Sequence, residues 1–130
     1  MQFDLVSPER KLASLSVSEV DLPGAEGDFT AMPQHAPVLT TLRPGVVTAK
    51  SGSDSTVYVV SGGFVEVNAE SVSVLAEWAV PMGDATGAQI EALVAEAEAA
   101  AGRADGPEKD LADLRVAQTK ALLQTVSGTA

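Results

Sequence analysis

Pro81-Met82-Gly83-Asp84 is the stretch on which the reading of this chain turns, because the composition changes across it. Before it, short runs of Val, Leu, Thr and Phe alternate with Gly, Pro, Asn and Asp. After it come long alanine-rich runs with a helical period. Thr86 and Gln89 have the spacing of a capping box, in which each side chain satisfies an amide that the first helical turn leaves open. Ile90, Leu93, Val94 and Ala97 then fall on one helix face. Gly102 reads as a stop, and Pro107, after Asp105-Gly106, as the first residue of a second helix. Leu111, Leu114, Gln118 and Ala121 or Leu122 follow as its apolar stripe, with fraying expected over Ser127-Gly128-Thr129-Ala130. Two helices joined by so short a connection form an antiparallel hairpin. An alanine seam buries little surface, so the hairpin is expected to be the less stable half.

Working back from the boundary, residues 1–83 read as strands. Phe3, Leu5 and the series Leu12, Leu15, Val17, Val20 predict two early strands broken at Ser7-Pro8-Glu9. Leu22 to Asp28 reads as a turn by composition. A short strand over Phe29 to Met32 leads into the rigid link Pro33-Gln34-His35-Ala36-Pro37. Leu39 to Leu42 is a further strand. Two hairpins follow: Val46–Lys50 with Thr56–Val60, and Phe64–Val67 with Val72–Leu75 across Asn68-Ala69-Glu70-Ser71. Many short strands with turns every 8–12 residues mean a sandwich or a barrel. The division is therefore a β domain over 1–83 and a two-helix hairpin over 84–130.

The bulk properties narrow the function. The 130 residues are 45% hydrophobic but only 4% aromatic, so the core must be built from Val, Leu and Ala. A net charge of -10 speaks against nucleic acid, whose phosphates require clustered Lys and Arg, and against unaided binding to anionic lipid. With no cysteine, thiolate nucleophiles, disulfides and Cys metal sites are excluded, and a cytoplasmic setting is expected. No signal peptide is read at Met1–Ser7, and no run reaches the ~18 apolar residues of a membrane span.

Chemistry-bearing candidates are few. His35 is the sole histidine, and a lone His between prolines is ordinarily structural or solvated; catalysis would need a nucleophile and an orienting acid within reach. One His without Cys makes a poor metal site. Ser61-Gly62-Gly63-Phe64 lacks the Lys-Ser/Thr and helix start of a phosphate loop, so its glycines read as close backbone packing between strands. Glu91, Glu96, Glu98, Asp110 and Asp113 read as a solvated helix face or an acidic docking face. Trp78, at the end of the last expected strand, reads as packing the domain edge or equally as sealing the β half against the hairpin.

Leu22-Pro23-Gly24-Ala25-Glu26-Gly27-Asp28-Phe29, then Pro33-Gln34-His35-Ala36-Pro37-Val38-Leu39-Thr40 and Leu42-Arg43-Pro44-Gly45, resemble the N-terminal domain of the epsilon subunit of bacterial F-type ATP synthases, which corresponds to the mitochondrial delta subunit. Phe3 to Glu9, Ser61 to Val67 and Val72 to Glu77 fit the same pattern in the same order. The resemblance implies a flattened β-sandwich followed by an α-helical hairpin. It implies a non-catalytic central-stalk, or rotor, subunit that binds gamma and rests on the c-ring, coupling proton flow (hydrogen ion transport) to ATP synthesis. It also implies a peripheral location on the cytoplasmic face of the inner membrane, with membrane contact only through the complex. Glu26, Asp28 and His35 correspond to family positions near gamma and the c-ring and are the expected interface residues. Stiff Pro- and Gly-fixed loops lose little entropy on docking.

The helical half departs from the family. Where ATP-binding members carry an acid and, three residues on, an arginine, this chain has Thr86 and Gln89. Without that positive charge an anionic nucleotide loses its charge-assisted hydrogen bonds, so ATP binding by the hairpin is not expected and no cofactor is assigned. The resemblance implies an inhibitory mode in which basic residues of an extended hairpin meet acidic loops of the beta subunit; here Arg103, Lys109, Arg115 and Lys120 are the hairpin's only bases amid many acids, so that contact is unfavourable, inhibition is expected to be weak or absent, and any contact with alpha or beta subunits is expected through the helical hairpin. Two other readings stay open. A small-ligand-binding β-module would be stabilised by a metabolite alone; a hydrolase using His35 would turn over by itself and fail as His35→Ala.

Overall fold

A computed structural model describes residues 1–127, in two compact units that divide between Met82 and Gly83. The expected tail at 128–130 lies outside the described residues.

In the first unit the strands are β1 (Gln2–Val6), β2 (Lys11–Ser16), β3 (Glu19–Gly24), β4 (Gly27–Ala31), β5 (Val38–Leu42), β6 (Gly45–Ser51), β7 (Asp54–Val60), β8 (Gly63–Val67), β9 (Ser71–Ala76) and β10 (Ala79–Pro81). They form one hydrogen-bonded path, β10-β7-β6-β3-β5-β8-β9-β1-β2, with β4 attached to β3. All pairings are antiparallel except β1 with β9. The path folds over at β3, whose start pairs with β6 at Lys50, Ala49 and Thr48 and whose last residue, Gly24, pairs with Leu42 of β5. β10, β7, β6 and β4 thus belong to one layer of the sandwich, and β5, β8, β9, β1 and β2 to the other.

Period-two alternation aims one side of each strand between the layers. Phe3 and Leu5 of β1, Val65 and Val67 of β8, and Val72 and Val74 of β9 are all essentially inaccessible, facing Val47, Tyr58 and Val60 from the other layer. The Phe3 and Tyr58 rings, from opposite ends of the path, lie 6.1 Å apart in a tilted arrangement, which ties the two layers together. Burial raises the Tyr58 pKa above its ordinary value.

Residues 11–24 form two strands rather than one, with buried Val17 near the bend between them. Leu22-Pro23-Gly24 is strand, not turn; the turn is only Ala25-Glu26. Pro23 has no amide to give the ladder, but its carbonyl still accepts from the Arg43 amide at 3.0 Å. β9 is not the last strand: Ala79–Pro81 adds a short one on β7, and Trp78 sits half-buried in the turn before it. The two hairpins form as expected, the first with a ladder reaching Ser51 and Asp54 and with Gly52 at φ 62°.

Gly62 and Gly63 have φ of 134° and 141°, as close packing between strands requires. A Cβ on Gly63 would lie 2.1 Å from the Leu75 carbonyl oxygen.

The second unit holds α1 (Gly87–Arg103) and α2 (Pro107–Ser127), which pack together. Thr86 caps α1 in a realised capping box: its Oγ1 accepts from the Gln89 amide at 3.2 Å, and Gln89 Oε1 accepts from the Thr86 amide at 2.9 Å. Gly102 does not stop α1, which runs to Arg103; the left-handed residue of the connection is Gly106, at φ 59°. Ile90 and Val94 are buried as expected. On α2 the expected stripe is about one residue out of phase. Leu111 and Leu114 are 68% and 53% exposed, while Thr119 and, as expected, Leu122 are buried. Half-buried Ala112 and Val116 continue the buried side of α2, and small or polar residues in it hid its phase. The buried Thr119 hydroxyl is satisfied by donating to the Arg115 carbonyl at 2.7 Å.

Candidate functional site

The loops at one end of the sandwich are pinned by hydrogen bonds rather than left free. In the β3–β4 turn, the Ala25 amide donates to the Thr41 carbonyl at 2.9 Å. The Arg43 guanidinium donates through Nη1 to the Gly24 carbonyl at 2.6 Å and through Nη2 to the Asp28 carboxylate. Gly24 is required by close approach: a Cβ there would lie 2.7 Å from the Gly27 carbonyl oxygen and 3.0 Å from the Phe29 ring. The β4–β5 loop is fixed by Gln34, which holds φ 72° while its amide donates to the Ala69 carbonyl at 2.9 Å. The His35 amide donates back to the Met32 carbonyl at 3.0 Å.

These two loops wall an open groove of about 390 Å3, lined by Gly24, Ala25, Glu26, Gly27, Phe29, His35, Val38 and Thr40. Of the three residues singled out from sequence, Glu26 and His35 line it together. Glu26 is exposed at the tip of the turn. His35 is half-buried, with its ring 6.3 Å from that of Phe29 and Nδ1 2.6 Å from the Ala36 carbonyl oxygen. Asp28 does not line the groove; its carboxylate is turned to Arg43. Phe29, Val38 and Arg43 are the residues that sequence reasoning missed. The Leu42-Arg43-Pro44-Gly45 motif carried Arg43 in plain view, but nothing in its spacing shows that it reaches back across the β3–β4 turn.

The groove therefore combines one free carboxylate, one imidazole and an apolar floor of Phe29 and Val38. Neither the His35 contacts nor the lining assembles a nucleophile with a base, and among the described residues no group of His, Asp or Glu is gathered to hold a metal. An open groove with an apolar floor and a few polar groups suits binding of a ligand or a partner. No helix of the described residues is long and apolar enough to cross a membrane.

The architecture is that of a β-sandwich unit followed by a two-helix unit, and comparison with known proteins gives it a family. Residues 1–82 match the model of the ATP synthase delta/epsilon chain β-sandwich domain. The chain is 58% identical over 97 residues to the ATP synthase epsilon chain of Ruegeria sp. (strain TM1040), covering 75% of this chain and 71% of that one. It is 50% identical over 122 residues to the ATP synthase epsilon chain of Fuscovulum blasticum, covering 94% and 92%. In fold it is similar to a chain of the Euglena gracilis mitochondrial ATP synthase OSCP/F1/c-ring structure, with a TM-score of 0.70 and 21% identity over 95% of this chain and 79% of that one. The chain belongs to the family of ATP synthase delta and epsilon chains, and within it to the epsilon chains. It is a non-catalytic subunit of that complex.

Proposed function

We propose that the chain is a rotor subunit of the central stalk of a proton-translocating F-type ATP synthase, transmitting torque between the c-ring and the catalytic subunits. The observation that carries this reading is the match to epsilon chains over almost the whole length, 50% identity across 94% of the chain. The fold likeness to a chain of a Tetrahymena thermophila mitochondrial ATP synthase central stalk/c-ring structure, with a TM-score of 0.70, is consistent with it. In this reading the groove end of the sandwich meets gamma and the c-ring. Glu26 and His35 make direct contacts there, and Asp28 acts through Arg43 to hold the turn in shape. Membrane contact comes only through the complex, at the cytoplasmic face. The test is capture of the tagged full chain from solubilised membranes with its associated proteins identified. Recovery of gamma and c subunits supports the reading, and recovery of the chain without any ATP synthase subunit overturns it.

The helical unit takes little part in inhibition in this proposal. Thr86 and Gln89 stand where ATP-binding relatives carry an acid and an arginine, and here both are engaged with each other in the capping box. Lys109 pairs with Asp113, and Lys120 with Glu98. Deleting the residues after Gly83 should leave ATP hydrolysis by the complex within about two-fold of its starting rate; a many-fold rise would refute the weak-inhibition reading.

A further inference from the structure

Asp105-Gly106, in the connection between the two helices, is the one place in the chain where an aspartate precedes a glycine. The connection is short, since α1 ends at Arg103 and α2 begins at Pro107. Both residues are exposed, and Gly106 holds φ 59°. Among the described residues the Asp105 carboxylate has no ion-pair or hydrogen-bond partner, and the Gly106 amide donates no hydrogen bond. Glycine has no Cβ to shield its amide nitrogen, and the space where a Cβ would stand on Gly106 is open. A carboxyl carbon and an amide nitrogen one residue apart are thus held back by neither bonds nor packing. The comparable positions are restrained. Asn68 Oδ1 accepts from the Glu70 and Ser71 amides at 2.9 and 2.8 Å. Asp54 and Ser55 are paired with Ser51 and Lys50 in the β6–β7 ladder. Asp84 is followed by Ala85, whose Cβ crowds its amide.

We propose that Asp105 is a site of spontaneous covalent modification, isomerising to isoaspartate and loosening the helical unit as the protein ages. The Gly106 amide nitrogen attacks Asp105 Cγ and forms an N–Cγ bond. The amide proton passes to solvent, and the protonated carboxyl loses its hydroxyl as one water, leaving a five-membered imide. Water then adds back. Opening of the Cγ–N bond restores aspartate, whereas opening of the bond between the main-chain carbonyl carbon and N leaves the chain running through Cβ and Cγ. One water is lost and one regained, so nothing is oxidised and no other reactant is needed. The product is one backbone carbon longer between α1 and α2, and its free carboxylate now stands on Cα. Two bonds span this connection: the Lys109 amide donates to the Gly106 carbonyl at 3.0 Å, and Lys109 Nζ to the Ala101 carbonyl at 3.3 Å. Both are set by the present chain length. A helix pair seamed largely by alanine has little buried surface to offset their loss, so opening of the helices becomes more frequent while the β unit is untouched.

The test ages the purified full-length chain for several weeks at neutral pH and physiological temperature. Isoaspartate is then located by mass spectrometry with backbone fragmentation, and its total measured by methyl transfer from labelled S-adenosylmethionine with an isoaspartyl methyltransferase. Isoaspartate at position 105 should exceed that at Asp54, Asp84 or Asn68 at least ten-fold. Asp105→Glu, which would have to close a six-membered ring, should abolish the signal there, and Gly106→Ala should lower it at least ten-fold. Because Gly106→Ala also strains a positive φ, the Glu variant is the decisive control. Hydrogen exchange compares aged with fresh chain: amides at the end of α1 and the start of α2 should exchange at least three-fold faster after ageing, with β8 and β9 unchanged. Aged Asp105→Glu should match its own fresh sample. Isoaspartate no more abundant at 105 than at the other three positions overturns the proposal. So does an equal quickening of exchange in aged Asp105→Glu, since the loosening then has another source, and so does exchange in the helices that stays unchanged once Asp105 has isomerised.

Discussion

The Arg43 guanidinium bridges the Asp28 carboxylate and the Gly24 carbonyl, joining the end of β5 to both sides of the β3–β4 turn. Asp28 is 77% exposed and Arg43 only 29%, so the two bonds differ in worth. The ion pair is screened and contributes on the order of 0–1 kcal/mol. The bond to the Gly24 carbonyl is the more sheltered and contributes about 1–2 kcal/mol as a charged donor to a backbone acceptor. Asp28→Asn should therefore cost less than about 1 kcal/mol in chemical denaturation, and Arg43→Met roughly 1–2 kcal/mol more. Equal losses for the two variants would show that the ion pair, not the carbonyl bond, holds the turn.

The Gly62-Gly63 crossing makes the strongest stability prediction. Gly63 combines φ of 141° with a Cβ position 2.1 Å from the Leu75 carbonyl oxygen and 2.9 Å from the Ala76 Cα, both backbone atoms. Neither neighbour can move without breaking the β8–β9 ladder. Gly63→Ala should destabilise the β unit by more than about 3 kcal/mol, seen as a large drop in its unfolding midpoint. Gly52→Ala, with φ of 62° and open space around it, should cost only about 1 kcal/mol.

Acid sensitivity has a local source. The Asp21 carboxylate accepts from the Thr30 hydroxyl at 2.6 Å and lies 3.1 Å from Lys50 Nζ. The Thr30 bond is the largest influence; burial opposes it, and Lys50 adds to it, so the pKa is held below the ordinary value of 3.8. A pKa lowered by folding gives stability that is present above the unfolded value and lost as pH falls through the folded one. Asp21→Asn should therefore be less stable than the parent at neutral pH, and the difference should shrink as pH falls below about 4. Stability curves from pH 7 to pH 2 check this, and a constant difference across that range would contradict it.

The capping box gives a prediction confined to the helical unit. Thr86→Ala removes the acceptor for the Gln89 amide, at a cost of about 1 kcal/mol. Hydrogen exchange should quicken in the first turns of α1 while the β8 and β9 amides stay unchanged.

What was legible in the sequence follows from where the signals are local. The boundary at Met82, the two hairpins, the Thr86 cap and Pro107 as a helix start all depend on residues within a few positions of one another. The misreadings depend on partners far along the chain. Pro23 looked like a turn because its place in β3 depends on Arg43, twenty residues on. The stripe of α2 was set by its leucines, whereas small Ala112 and polar Thr119 lie on the buried side. At the groove, Glu26 and His35 were found through the family motif. Asp28 came from the same motif, but no sequence feature shows that Arg43 reaches back to it.

Whether the chain couples rotation to proton flow is decided by ATP-driven proton pumping in membrane vesicles, with the complex depleted of this chain and then given it back. Depletion should abolish pumping while ATP hydrolysis persists, and adding the full chain should restore pumping. Pumping that continues at the same ratio of protons moved to ATP hydrolysed in the chain's absence would contradict it.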